Sequence, residues 1–358
     1  MLHLLYRFTI LAAFAALLPA NVGQAQTSTC RVPRKPSECI SRLPQAVFTA
    51  PAGEDTECPA LARNGDIYTA EMYSGKIYRI RPNGSSEVFT TLFPAGTYPW
   101  LQCAGIVFGP DHRDLYVLAN TWDPATHGVW RIHPNGESEL AAAIPPAGSY
   151  LNEMTFDENG NLFVTDSTLG AIWKVNQRGK VQLWCSSDLL IWGSDPTGPF
   201  GANGIAYWRD TLYVAVTDAG SGLLPDLRGD NFPVVKIKIR PDGSAGIPEV
   251  FVEDGVLAPD GLAVDGKGNL YIVDFGGLAW GPGFPLAGPA RLLRINLNGG
   301  DLEVVASAGL QNSASVVIDD QVAYVTNLYV TDVPNIVRID LCGHHPDSRD
   351  DDHCKHNE

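Results

Sequence analysis

Glu57, Asn152, Asn203 and Asp260 carry hard oxygen donors, and each stands a near-constant distance ahead of an aromatic residue in a short apolar segment. Tyr68, Phe163 and Tyr271 lie eleven residues after Glu57, Asn152 and Asp260, and Tyr213 lies ten after Asn203. The same count, run back through a longer turn, places Gln102 in a further unit and 312–314 in another. Side chains that recur at one repeat position are brought by the repeat to one place in space. Two carboxylates held there out of water repel each other and resist ionisation, and a divalent cation removes that repulsion. An all-oxygen set suits Ca²⁺ first, with Mg²⁺, Mn²⁺ and Zn²⁺ as alternatives. The plainer reading is that these residues only hydrogen-bond neighbouring strand ends.

The elements that hold them repeat six times. The aromatic segments read Asp66-Ile67-Tyr68-Thr69, Asp114-Leu115-Tyr116-Val117, Asn161-Leu162-Phe163-Val164, Thr211-Leu212-Tyr213-Val214, Asn269-Leu270-Tyr271-Ile272 and Val322-Ala323-Tyr324-Val325. Each is followed by a third alternating run, such as Lys76-Ile77-Tyr78-Arg79-Ile80 or Gly128-Val129-Trp130-Arg131-Ile132, and then by a turn such as Pro82-Asn83-Gly84. Period-two alternation over short runs predicts strands, and Asn-Gly after them predicts hairpins. Four antiparallel strands in units of about fifty residues predict an all-β, six-bladed β-propeller over 43–341. Only five units supply their own fourth strand. The run Gln45-Ala46-Val47-Phe48-Thr49 is therefore expected to complete the last blade and close the ring, which removes exposed edges.

Strand direction then sorts the loops. Turns between first and second and between third and fourth strands share a lower face and are short. The longer connections, 120–128, 185–201, 218–232, 274–290 and 327–334, share the upper face, where the oxygen donors also point. Loops on a rigid scaffold are where binding residues concentrate. Gln102, Tyr150, Trp122 and Trp280 are the expected substrate contacts, with Trp192, Phe232, Phe284 and Tyr329 as further walls. Any one of these aromatics also reads as packing between blades.

Composition narrows the class. Lys and Arg total 25 against 40 Asp and Glu, a net charge of −15, which excludes a nucleic-acid partner. At 45% hydrophobic and 18% charged, the chain can bury a large core. Arg7, the apolar run 8–18 and Gly23-Gln24-Ala25 read as a secretory signal peptide over 1–25, too short to span a bilayer. A secreted or periplasmic monomer acting on a small molecule, with no membrane anchor after cleavage, follows as the expectation. An extension over 26–42 precedes the ring, and the acidic, His-rich tail 342–358 reads as a solvated end, with metal scavenging as its alternative. Seven cysteines suit an oxidising compartment; Cys39, Cys342 and Cys354 flank the ring and are candidates to staple its ends.

In these residues the chain resembles a family. Glu57-Cys58-Pro59, Asn152-Glu153, Asn203-Gly204-Ile205 and Pro259-Asp260-Gly261-Leu262 are similar, in order and one per blade, to the signature segments of the SMP-30/gluconolactonase/regucalcin family. That resemblance implies a six-bladed propeller hydrolysing lactones with a divalent metal in its central channel. It implies Glu57, Asn203 and Asp260 as metal ligands, with Asn152 beside metal and substrate. Tyr150 stands where sugar-lactone members carry a substrate-binding Arg, and Cys58 replaces a Gly, so a bulkier or more apolar ester is expected than a sugar-acid lactone.

A metal-dependent lactonase or esterase would polarise the carbonyl and acidify a bound water. The ring region contains only His112, His127 and His133, none of which opens a first strand, so the expected proton acceptor is Asp260, then Glu153. No nucleophile elbow is present. The rival readings are a non-catalytic NHL-like binding scaffold and a cyclase of the hetero-Diels–Alderase or strictosidine synthase-like type, since propellers host unrelated functions.

Overall fold

The computed structural model describes residues 44–191, 201–217, 233–276, 289–330 and 333–341. The expected signal peptide, N-terminal extension and His-rich tail lie outside the described residues, as do Trp192, Phe232, Trp280 and Phe284. Strand β1 (Gln45–Phe48) precedes the first unit, β2–β5 (Thr56–Leu61, Ile67–Glu71, Lys76–Ile80, Ser86–Thr91). Next come β6–β9 (Gln102–Phe108, Leu115–Asn120, Gly128–Ile132, Ser138–Ala143) and β10–β13 (Leu151–Phe156, Leu162–Asp166, Ala171–Val175, Val181–Ser186). The fourth and fifth units are β14–β17 (Ala202–Trp208, Thr211–Val216, Val234–Lys238, Glu249–Val252) and β18–β21 (Pro259–Val264, Asn269–Asp274, Arg291–Asn296, Glu303–Ala306). The last is β22–β24 (Ser313–Asp319, Val322–Asn327, Ile336–Asp340).

Each unit is a four-stranded antiparallel sheet in chain order, and the sixth takes β1 as its outer strand in the order β1-β24-β23-β22. Gln45 faces Arg338 and Phe48 faces Ile336 across that closing seam. The ring is thus a six-bladed β-propeller closed between the two ends of the chain, as the missing fourth strand required.

Apolar packing holds the blades together. Six clusters of buried residues sit at the six junctions; Tyr68, Ile77, Ile106, Val117 and Ile132 join the first blade to the second. Phe48, Ile67, Tyr78, Ile80 and Ile336 join the sixth to the first. The second-strand aromatics serve here: Tyr68 meets Phe89 of its own blade at 5.3 Å and Phe108 of the next at 5.6 Å, both edge to face. Each fully buried Ile or Leu contributes about 1.5–3 kcal/mol, so the junctions dominate stability. Among the described residues Cys58, Cys103 and Cys185 are buried free thiols, and the other four cysteines, including the expected staples, lie outside them.

Candidate metal centre at the upper mouth of the channel

The innermost strand of every blade leaves its ladder at one point. Thr56 pairs with Glu71 and the next pair is Pro59 with Thr69, so Glu57 and Cys58 have no partner across the strand. The same two-residue gap frees Asn152-Glu153, Asn203-Gly204, Asp260-Gly261 and Ala314-Ser315. A bulge of this kind redirects side chains away from the regular pleat. Four blades therefore offer an oxygen donor at the first freed position. All four are buried: Glu57 is 7% exposed, Asn152 1%, Asn203 3% and Asp260 7%.

In the second blade the freed pair is Ala104-Gly105, not Gln102, because Cys103 still pairs with Ala119 and the next pair is Ile106 with Val117. The hairpin there, from Phe108 to its partner Leu115, is one residue longer than that from Leu61 to Ile67, so Tyr116 lies twelve residues after Ala104. Gln102 sits two positions ahead of the ring, where the third blade carries Tyr150. Ala314 is the sixth blade's residue. Ligand-type side chains thus come from blades one, three, four and five, with alanine in the other two.

The amides are aimed. Asn152 Nδ2 donates to Ser167 Oγ (3.1 Å) and Asn203 Nδ2 to Thr217 Oγ1 (3.0 Å). Those hydroxyls spend their own hydrogens on the next blade, on the Ala202 and Pro259 carbonyls. A hydroxyl whose hydrogen is committed can only accept, so each amide must present its N–H there and turn its oxygen away. The result is that Glu57 Oε2, Asn152 Oδ1 and Asn203 Oδ1 are buried without any hydrogen-bond partner. Thr165 Oγ1 fixes the Asn203 carbonyl (2.6 Å) and Thr326 Oγ1 that of Glu57, so the backbone beneath is stitched from blade to blade. Each buried acceptor left unsatisfied costs about 1–3 kcal/mol, and three oxygens at one level fit the donor set of a hard cation.

The electrostatics agree. Burial, then the Glu153 carboxylate, pushes Glu57 up to about 8. Asp260 is raised well above the carboxylate range by burial, then by Glu57 and Glu153, against a lowering hydrogen bond from Asn203. No three His, Cys, Asp or Glu side chains among the described residues cluster as a metal site. The set here is half amide, which suits a hard cation that prefers neutral and charged oxygens together.

Glu153 lies one layer lower and does something else. Its Oε1 accepts from Ser315 Oγ (2.7 Å) and Cys58 Sγ (3.4 Å), and its Oε2 from the Ile205 N–H (3.2 Å). One side chain from the third blade thereby ties the sixth, first and fourth. It lines a cavity of about 500 Å³ that also takes in Arg63 and His112 from lower-face turns and Asp319 at the end of β22. Glycines make the inner strands' close approach feasible: a Cβ on Gly204 would stand 2.0 Å from the Asp260 carbonyl, and one on Gly261 would stand 2.5 Å from Ser315 Cα.

Among the expected substrate contacts, Gln102 and Tyr150 share a level just above the ring. Trp122 is 39% exposed in the loop after β7, with its backbone N–H donating to His127 Nδ1 (3.4 Å). Trp280 is outside the described residues. His127 is held neutral, its pKa pushed down to about 4 by burial. Absent from the sequence reading were Ser167, Thr217, Ser315 and Tyr73. Ser167 and Thr217 were findable, since each lies four residues after its blade's second-strand aromatic.

No family model matches the chain. It is 25% identical over 221 residues to lactonase drp35 of Staphylococcus epidermidis, covering 60% of this chain and 61% of that protein. The match thus spans less than two thirds of the relative's length. A gluconolactonase from Xanthomonas campestris superposes with a TM-score of 0.60 at 16% identity, over 90% of this chain and 99% of that one. Regucalcin from Agrobacterium tumefaciens, described as a calcium-binding protein, gives 0.53 at 13% identity, over 84% and 91%. At such identities the superpositions establish the fold: the structural neighbours of this chain are six-bladed propellers of the gluconolactonase/regucalcin kind, and the curated relatives it matches are lactonases.

Proposed function

We propose that this protein is a secreted, metal-dependent hydrolase of lactones or related carboxylic esters. The observation that carries the proposal is the trio of orphaned, inward-turned oxygens on Glu57, Asn152 and Asn203. Those three residues and Asp260 would hold the divalent ion, Ca²⁺ before Mg²⁺, Mn²⁺ or Zn²⁺. A cation bound there supplies Lewis-acid polarisation of a carbonyl and a more acidic water.

This chain's own groups supply the rest. Asp260 is the group assigned to take the proton from the attacking water, because it would stand ionised beside a bound cation at the level of the ring. Glu153, with its oxygens engaged by the first, fourth and sixth blades, holds the inner strands in place beneath the ring. Ser167 and Thr217 orient the two amides, and Gln102, Tyr150 and Trp122 stand where an acyl group would enter. The lactonase relatives support the reaction class, the regucalcin neighbour supports the ion, and the apolar leader supports export. Chelation should abolish hydrolysis of a lactone panel, and Ca²⁺ should restore it. Asp260→Ala should lose turnover with or without added metal. Full activity in excess chelator would refute the metal mechanism, and a panel without turnover would leave the binding-scaffold reading.

A further inference from the structure

Three phenols gather above the oxygen ring, and two of them come from one repeat position. Tyr73 and Tyr329 each lie five residues after the second-strand aromatic of their blade, Tyr68 and Tyr324. Their hydroxyls meet at 3.3 Å across the closing junction between the sixth and first blades. Tyr150 enters from the third blade two residues ahead of Asn152, and its phenol lies within electrostatic range of Tyr73, Glu57 and Asp260. The Tyr329 phenol is likewise influenced by Tyr73, Tyr150 and Glu57, which places the three phenols near one another.

Their backbones are fixed. The Tyr73 N–H donates to Glu71 Oε2 (3.1 Å) and the Tyr150 N–H to Asp166 Oδ1 (3.1 Å). Tyr329 and Trp122 are held at φ of +54° and +56°, a left-handed conformation that bulky residues rarely adopt and that concentrates at ligand clamps. Both remain substantially exposed, at 41% and 39%. Burial raises Tyr73 and Tyr329, which keeps both phenols as neutral donors.

We propose that Tyr73, Tyr150 and Tyr329 form a specificity cradle that seats the apolar substituent of a lactone against their ring faces, in preference to a polyhydroxylated lactone. The inference rests on the hydrolase reading for the word lactone, and on the geometry alone for the apolar substituent. Aromatic faces stack on flat apolar groups, whereas a polyol held there would lose water-bound hydroxyls to carbon surfaces.

The test uses γ-phenyl-γ-butyrolactone and glucono-δ-lactone as substrates, and the matching phenyl lactam, which is not hydrolysed, as a binding probe. The wild-type protein should bind the lactam and favour the phenyl lactone in kcat/KM. Tyr73→Ala/Tyr329→Ala should weaken lactam binding about tenfold and erase the preference. Tyr73→Phe/Tyr329→Phe should retain most of the binding, because the rings remain. Metal-induced stabilisation should be unchanged in both variants, which separates a binding defect from misfolding. Lactam binding by the alanine variant equal to wild type, or a wild-type preference for the polyol, would overturn the cradle. Lactam binding without turnover of either lactone would uphold the cradle and remove the hydrolase reading instead.

Discussion

Asn203 shows how much one side chain depends on a hydroxyl that touches no substrate. Its amide is oriented by Thr217, as Asn152 is by Ser167, and a ligand loses affinity when its orienting partner is removed, about 10–100-fold in metal sites. Ser167→Ala and Thr217→Val should each weaken Ca²⁺ binding by roughly that factor in calorimetry. Unchanged affinity would mean the amide oxygens are not ligands. Glu57 makes a second test through pH. Its folded-state pKa of about 8 lies above the 4.5 of an ordinary glutamate. The folded apoprotein therefore holds a proton that the unfolded chain has released, and its stability falls as pH rises from about 5 to 8. Bound cation should cancel that fall, so the gain in melting temperature on adding Ca²⁺ should be larger at pH 8 than at pH 5. Equal gains at both pH values would contradict the assignment.

At the scale of elements, the inner strands decide where the oxygens go. Gly204→Ala would drive a methyl into the Asp260 carbonyl, and overpacking of this sort costs about 1–3 kcal/mol or more. A loss of several degrees in melting temperature is expected, with metal affinity falling too, because the Asp260 backbone must move. An unperturbed Gly204→Ala protein would mean that the inner strands are not in the close contact described. Strand identity was legible because Tyr, Val and Ile alternate plainly, and so was ring closure, since one fourth strand was missing from the count. The ring position was legible where the spacing to the aromatic is eleven residues, or ten through the fourth blade's shorter turn, which gives Glu57, Asn152, Asn203 and Asp260. It fails in the second blade, where the hairpin is longer by one residue and not by three, so the ring residue is Ala104 rather than Gln102. The role of Glu153 was not legible at all. Its partners Ser315, Cys58 and Ile205 come from other blades, and no local pattern announces contacts 52 to 162 residues away.

At the scale of the whole molecule, six apolar junctions hold the blades while three buried carboxyls, Glu57, Glu153 and Asp260, oppose one another at the axis. The ring closes through β1 and β24, so deletion of 44–50 should expose an edge and lower the melting temperature sharply, whereas a shortened tail after 341 should not. One ion shared by four blades would hold the axis together. Its most direct test is an anomalous-scattering map from a crystal grown with Ca²⁺. The expected result is a single axial peak about 2.3–2.6 Å from Glu57 Oε2, Asn152 Oδ1, Asn203 Oδ1 and an Asp260 carboxylate oxygen. A map with no peak there, or with the ion bound elsewhere while those oxygens stay empty, would contradict it.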